Sequence, residues 1–138
     1  EEQWFEDMIK SPAPEHPMVI EIEDNGGWSA VGNCGFLPID WRNRSAEVGI
    51  FIGEKAYWNK GYGTEVMRLL LMHGFETLNL HRIGLRVYEN NRGAIRSYEK
   101  AGFQNEGRLR EAEYQEGKYL DVYLMSVLRS EWENIHRE

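Results

Sequence analysis

AEVGIFIGEKAYWNKGYGTEVMRLLLMHGFETLNLHRIGLRVY, residues 46–88, carries the changes of period on which the fold turns. At its start Ala46, Val48, Ile50 and Ile52 alternate with Glu47, Gly49, Phe51 and Gly53, the two-residue repeat of a strand. From Thr64 the apolar residues fall three and four apart. Val66 pairs with Leu70, and Met67 with Leu71, Phe75 and Leu78, which is one stripe of the longest helix in the chain. At residues 82–88 the period returns to two, with Ile83, Leu85 and Val87 on one face. Strand, helix and strand in this order predict two parallel strands joined by a helical crossover.

Reading outward, residues 18–22 are a strand-forming run, Asp24-Asn25-Gly26-Gly27 is turn chemistry, and residues 28–37 return as a second strand. Residues 2–9 suit a short helix that Ser11-Pro12-Ala13-Pro14 ends. On the other side, Asn90 or Asn91 caps a shorter helix bearing Ala94, Ile95, Tyr98 and Ala101, and Gly102 suits its left-handed stop. Residues 103–114 and 119–128 read as a closing hairpin turned at Gln115-Glu116-Gly117-Lys118, with Trp132 in a terminal helical turn. The expected fold class is α/β in the α+β sense: a mixed, largely antiparallel sheet with flanking helices, in a single domain over residues 1–138.

Composition narrows the function. At 138 residues, 41% apolar and 28% charged, the chain has one core's worth of hydrophobic material. Its net charge of −7 and pI near 5.2 repel phosphate, which argues against nucleic acid as a partner and favours a cationic ligand such as an amine. No run reaches the ~18 apolar residues of a membrane span, so no membrane partner is expected. The single cysteine, Cys34, has no internal disulfide partner, and the expected location is cytoplasmic. His73 and His81 share no ligand spacing with Cys34, so no metal site is expected. Cys34 itself reads as a small buried strand residue.

Two segments carry chemistry. Asn59-Lys60-Gly61-Tyr62-Gly63-Thr64 lies between a strand and the start of the long helix. Glycines there let backbone approach a ligand, and the N–H groups of a helix start attract anions, so the segment is a candidate pyrophosphate cradle. A dinucleotide fingerprint requires a third glycine where Val66 stands, and a P-loop requires Gly-Lys-Ser/Thr, which is absent. Taken alone, the two glycines read better as a tight turn before a helix than as a phosphate site. The second segment is Asn91-Arg92-Gly93-Ala94-Ile95-Arg96-Ser97-Tyr98-Glu99-Lys100-Ala101-Gly102-Phe103.

Together the two segments, at this separation, resemble the GNAT acetyltransferases. Tyr57-Trp58-Asn59-Lys60-Gly61-Tyr62-Gly63-Thr64-Glu65, Leu80-His81-Arg82-Ile83 and Glu106-Gly107-Arg108-Leu109-Arg110 are similar to the branch containing ribosomal-protein N-terminal and spermidine acetyltransferases. The resemblance implies a sheet opened between two splayed parallel strands, with acetyl-CoA lying in the opening as co-substrate. It places cofactor contacts at Phe51, Ile52, Trp58, Asn59, Lys60, Gly61, Tyr62, Gly63, Thr64, Asn91 and Ala94. It also implies transfer of acetyl to a primary amine, of a small molecule or a protein N-terminus, by direct attack in a ternary complex. A GNAT-fold module that binds acyl-CoA without turnover is the alternative. The family begins with a strand and a helix that this sequence lacks, so an N-terminally incomplete domain is expected, with an exposed sheet edge or a homodimer partner covering one.

The reaction sets what the site must contain. An amine with a pKa near ~10 must lose a proton before it attacks a thioester, and the departing thiolate must gain one. The resemblance assigns the second task to Tyr98, whose competing reading is a core aromatic on the face of Ala94 and Ile95. Glu47 is the candidate base or amine-orienting carboxylate, because its strand runs beside the expected acetyl group; a solvent-facing glutamate, with water as base, is the competing reading. Glu89, Glu111, Glu113 and Asp121 read as solvated surface, with the lining of a cation-binding mouth as the competing reading; Arg108 and Arg110 read as a solvated strand face, with contact to coenzyme A phosphate as the lesser alternative.

Overall fold

The computed structural model describes residues 18–24, 26–52 and 61–135. The short helix expected at residues 2–9 lies outside them. Strands β1 (Met18–Asp24) and β2 (Gly27–Phe36) form the expected hairpin, and β3 (Ser45–Ile52) pairs antiparallel with β2 from Phe36↔Val48 to Gly32↔Ile52. Helix α1 (Tyr62–Met72) precedes β4 (Arg82–Tyr88), and helix α2 (Arg92–Ala101) precedes the long hairpin of β5 (Gln104–Gln115) and β6 (Lys118–Leu128). A short helix α3 (Arg129–Ile135) follows. The sheet order is β1-β2-β3-β4-β6-β5, antiparallel except at β3–β4, so the outer strands among the described residues are β1 and β5.

Alternation decides which face of the sheet is packed. Ala46 and Val48 on β3, with Ile83, Leu85 and Val87 on β4, are buried under α1, whose Met67, Leu70 and Leu71 meet them in one core. Burying such side chains contributes about 1.5–3 kcal/mol each. The opposite face carries Glu47 and Phe51 on β3 and Arg82, Gly84 and Arg86 on β4.

The long helix differs from its periodicity in one respect. It starts at Tyr62, and after Met72 it widens into a π-helical turn, His73–Thr77, closed by Leu78 N–H donating to the His73 carbonyl at 3.0 Å. The chain there passes hard against the sheet: a Cβ added to Gly74 would lie 2.5 Å from Ile83 Cδ1 and 3.2 Å from Phe36 Cζ. Helical stripes report which face is buried and are blind to how closely backbone must approach a strand.

Helix α2 is bounded as its sequence predicts. Of the two asparagines, Asn91 is the cap, its side chain accepting from Ala94 N–H at 3.3 Å, and Gly102 takes the left-handed stop at φ 114°. The β5–β6 turn has positive φ at both Glu116 (49°) and Gly117 (80°), the primed turn that matches strand twist. Asp121 holds the irregular stretch of β5, accepting from Glu111 N–H at 2.8 Å and pairing with Arg108 Nε at 3.2 Å. Arg108, half-exposed on this face, thus has Asp121 as a defined partner.

Candidate active site at the fork between two parallel strands

The decisive geometry is where β3 and β4 stop pairing. They are joined at only Ser45↔Arg82, Ala46↔Ile83 and Glu47↔Gly84, yet β3 continues to Ile52 and β4 to Tyr88. Each remains paired on its outer side, β3 with β2 up to Ile52 and β4 with β6 up to Tyr88↔Val122. The sheet is thus forked, and the inner edges beyond Glu47 and Gly84 have no strand partner among the described residues. Unpaired backbone N–H and C=O groups at such an edge are available to a ligand.

Both following helices begin toward the open end. Asn91 N–H donates to the Tyr88 carbonyl at 3.0 Å, fixing the start of α2 at the end of β4. The first turn of α1 rests on α2, with Thr64 Oγ1 donating to the Ser97 carbonyl at 3.3 Å. The π-helical turn that continues α1 reaches Ile83 through Gly74, so α1 runs from the open end of the fork back towards its closed end.

At the start of α1, Gly61 has φ 85°, a conformation that glycine adopts freely and other residues rarely do. Nothing lies within 4 Å of the position its Cβ would occupy. The first helical bond here is Glu65 N–H to the Gly61 carbonyl at 3.0 Å, so the positive end of the helix lies at this turn. Gly63 is different: a Cβ there would make only ordinary contact with Ser97, 3.7 Å from its Oγ. An open glycine turn at the positive end of a helix fits an anionic group such as a pyrophosphate. Trp58, Asn59 and Lys60 lie outside the described residues.

The other expected contacts are distributed along the fork. Phe51 is 62% exposed on the face away from α1, and Ile52 ends β3. Asn91 and Ala94 are in the first turn of α2, where the Ala94 N–H is already held by the Asn91 cap. Tyr98 is buried, 8% exposed, with its ring edge-on to Phe103 at 6.1 Å. Burial pushes its hydroxyl pKa up to about 12, so it remains a proton donor at neutral pH. Cys34 is buried and its thiol is likewise pushed up to about 12, which leaves it without thiolate character.

Glu47 sits at the crotch of the fork, on the last paired rung. Its carboxylate lies 3.4 Å from Arg86 Nε, both side chains half-exposed. They line a cleft of about 460 Å³ on the face away from α1, together with Leu37, Asp40, Arg82 and Glu106. Arg82 and Glu106 form a bidentate pair, and Ser126 Oγ also donates to Glu106 at 2.9 Å. The guanidinium hydrogen bonds, followed by the one from Ser126, hold the Glu106 carboxyl below its ordinary range against the opposing effect of burial. Sequence reasoning did not single out Arg82, Arg86 or Glu106 for the cleft. Alternation with Ile83, Leu85 and Val87 already placed both arginines on the uncovered face; their carboxylate partners come from other strands.

A forked mixed sheet of this kind is the GNAT fold. The solved spermidine N-acetyltransferase from Vibrio cholerae in complex with CoA and spermine shares it at a TM-score of 0.70 and 35% identity, over 75% of this chain and 61% of that one. The chain belongs to the family described as acetyltransferase (GNAT) domain, which matches residues 1–104. It is 39% identical over 74% of its length to the uncharacterized N-acetyltransferase p20 of Bacillus licheniformis. It is 36% identical over 96% of its length to the spermidine N(1)-acetyltransferase of Vibrio cholerae serotype O1. The chain spans 57% of the first of these relatives and 74% of the second.

Proposed function

We propose that this chain transfers an acetyl group from acetyl-CoA to a primary amine. The observation that carries the reading is the fork, with its open glycine turn at Gly61 and a carboxylate at its crotch. The pyrophosphate of acetyl-CoA is held by the helix start at Gly61, Tyr62, Gly63 and Thr64, with residues 58–60 completing the cradle. Phe51 and Ile52 offer the free inner edge of β3 to the thioester, and Asn91 and Ala94 bound the opposite side at the start of α2.

The amine nitrogen attacks the thioester carbonyl, a C–N bond forms, and the C–S bond breaks as the tetrahedral intermediate collapses. Glu47 orients the ammonium and takes its proton, directly or through water. Tyr98, protonated at neutral pH, donates its hydroxyl proton to the departing thiolate. No acyl-enzyme is needed.

We read residues 1–138 as one domain that works in the cytoplasm, on a small-molecule amine or a protein N-terminal amine. Homodimerisation along an outer strand belongs to the same proposal. Among the described residues no helix is long and apolar enough to cross a membrane, and no three potential metal ligands are grouped.

The burial of Tyr98 within the core favours a second reading, a GNAT-fold module that holds acyl-CoA without turnover. Isothermal titration with acetyl-CoA followed by a free-thiol assay with amines separates the two. Binding with amine-dependent thiol release supports the enzyme; binding alone supports the module.

A further inference from the structure

Gly84 is the one residue on the cleft-facing side of β4 without a side chain. It stands between Arg82 and Arg86, each ~7 Å away along the strand, and it is the rung partner of Glu47 where the fork opens. Arg82 is drawn off to Glu106 and Arg86 to Glu47, so an ion pair bounds each end of the gap that Gly84 leaves. Three things can require a glycine inside a strand: a left-handed backbone, a neighbour too close for a Cβ, or a ligand lying against the bare chain. The first does not hold, because the φ of Gly84 is not positive. The second holds weakly. A Cβ at residue 84 would lie 3.3 Å from the Met125 carbonyl oxygen and 3.8 Å from Arg82 Nη2, contacts that a shift of a few tenths of an ångström relieves. The third fits the place: Gly84 is buried at the bottom of the cleft, on the last rung before the free strand edges.

Resting on the acetyltransferase reading, we propose that Gly84 sets how much substitution the acceptor carries on the carbon that bears its nitrogen. The charges of the lining, Asp40, Glu47 and Glu106 against Arg82 and Arg86, attract an ammonium whatever it is attached to. Shape at the bottom of the cleft is what discriminates. With the nitrogen at Glu47 and the thioester at the free edges just beyond, the neighbouring carbon lies over the last rung, against Gly84. The bare floor there admits a primary amine on a branched carbon, R2CH–NH2, as well as one on a methylene. A methyl at residue 84 takes the volume that the second substituent needs.

The experiment is steady-state thiol release at saturating acetyl-CoA on matched pairs of acceptors that differ only in branching at the amine carbon: propylamine and isopropylamine, glycinamide and alaninamide, 1,3-diaminopropane and 2,4-diaminopentane. On whichever pair the chain turns over, wild type should accept both members with kcat/KM within about 10-fold. Gly84→Ala should lower kcat/KM for the branched member by about 10- to 100-fold more than for the unbranched one, the discrimination that one methyl gives in a fitted pocket. Thermal melts and titration with acetyl-CoA check that the variant is folded and loaded. A merely structural role for Gly84 would lower both members alike. Equal losses, no loss in either, or a wild type that rejects the branched members by more than about 10-fold overturns the role of Gly84 and leaves the acetyltransferase reading standing. That wild-type ratio decides by itself if Gly84→Ala does not fold. Acetyl-CoA binding with no thiol release for any of these amines overturns both.

Discussion

Tyr98 is the residue on which the enzymatic and the binding-only readings part. Tyr98→Phe keeps the ring against Phe103 and removes only the hydroxyl, so the melting temperature and acetyl-CoA affinity should hold. Turnover on an accepted amine should fall by about 100- to 10,000-fold, the usual loss when a positioned acid is removed. A near-wild-type rate, with chemistry shown to be rate-limiting, returns Tyr98 to a packing role. The glycines of the cradle give a second residue-level test. Gly61→Val forces a side chain into φ 85° and should weaken both folding and acetyl-CoA affinity. Gly63→Ala adds a methyl that meets Ser97 at ordinary distance, so thermal stability should hold while titration shows weaker acetyl-CoA binding. Unchanged affinity in both variants removes the phosphate cradle from the account.

Among the elements, the π-helical turn after α1 sets a pH dependence. His73 is buried beside Phe36, its ring 6.1 Å away, and its Nδ1 has no hydrogen-bond partner among the described residues. Burial lowers its pKa below 6.5, so the folded state holds it neutral where the unfolded chain takes up a proton. Its contribution to stability is complete above the unfolded value and is lost as pH falls from there toward the folded value. Melting curves between about pH 5 and pH 7 should therefore decline toward acid, and His73→Leu should flatten that part of the profile. A decline of equal slope in the variant would assign it to other groups. This turn was not legible in the sequence, because the residues of the stripe, Met67, Leu71 and Phe75, fit a continuous α-helix just as well. What sets it apart is the approach of Gly74 to Ile83, a contact between distant parts of the chain. The caps were legible because their signals are local: Asn91 bonds three residues on, and Gly102 needs only its own φ.

Across the whole molecule, strand alternation and the two changes of period were sufficient for the element order and the parallel pair. They were insufficient for the point of separation. Nothing in the alternation of β3 changes at Glu47, yet pairing to β4 ends there, because β2 and β6 hold the two strands on diverging courses. The turn at Gly61 was legible from its glycines, while the Arg82–Glu106 and Glu47–Arg86 pairs join strands far apart in sequence and needed the register to be seen. All of these features converge on one claim, that the fork binds acetyl-CoA and passes its acetyl group to an amine arriving at Glu47. Its most direct test follows free thiol and the mass of the acceptor in one reaction containing the chain, acetyl-CoA and an amine. One acetyl group should be added to the amine for each thiol released, with neither product formed when the chain is omitted. Binding of acetyl-CoA with no acetylated amine, across α-amino acids, peptides, polyamines and alkylamines, would contradict it.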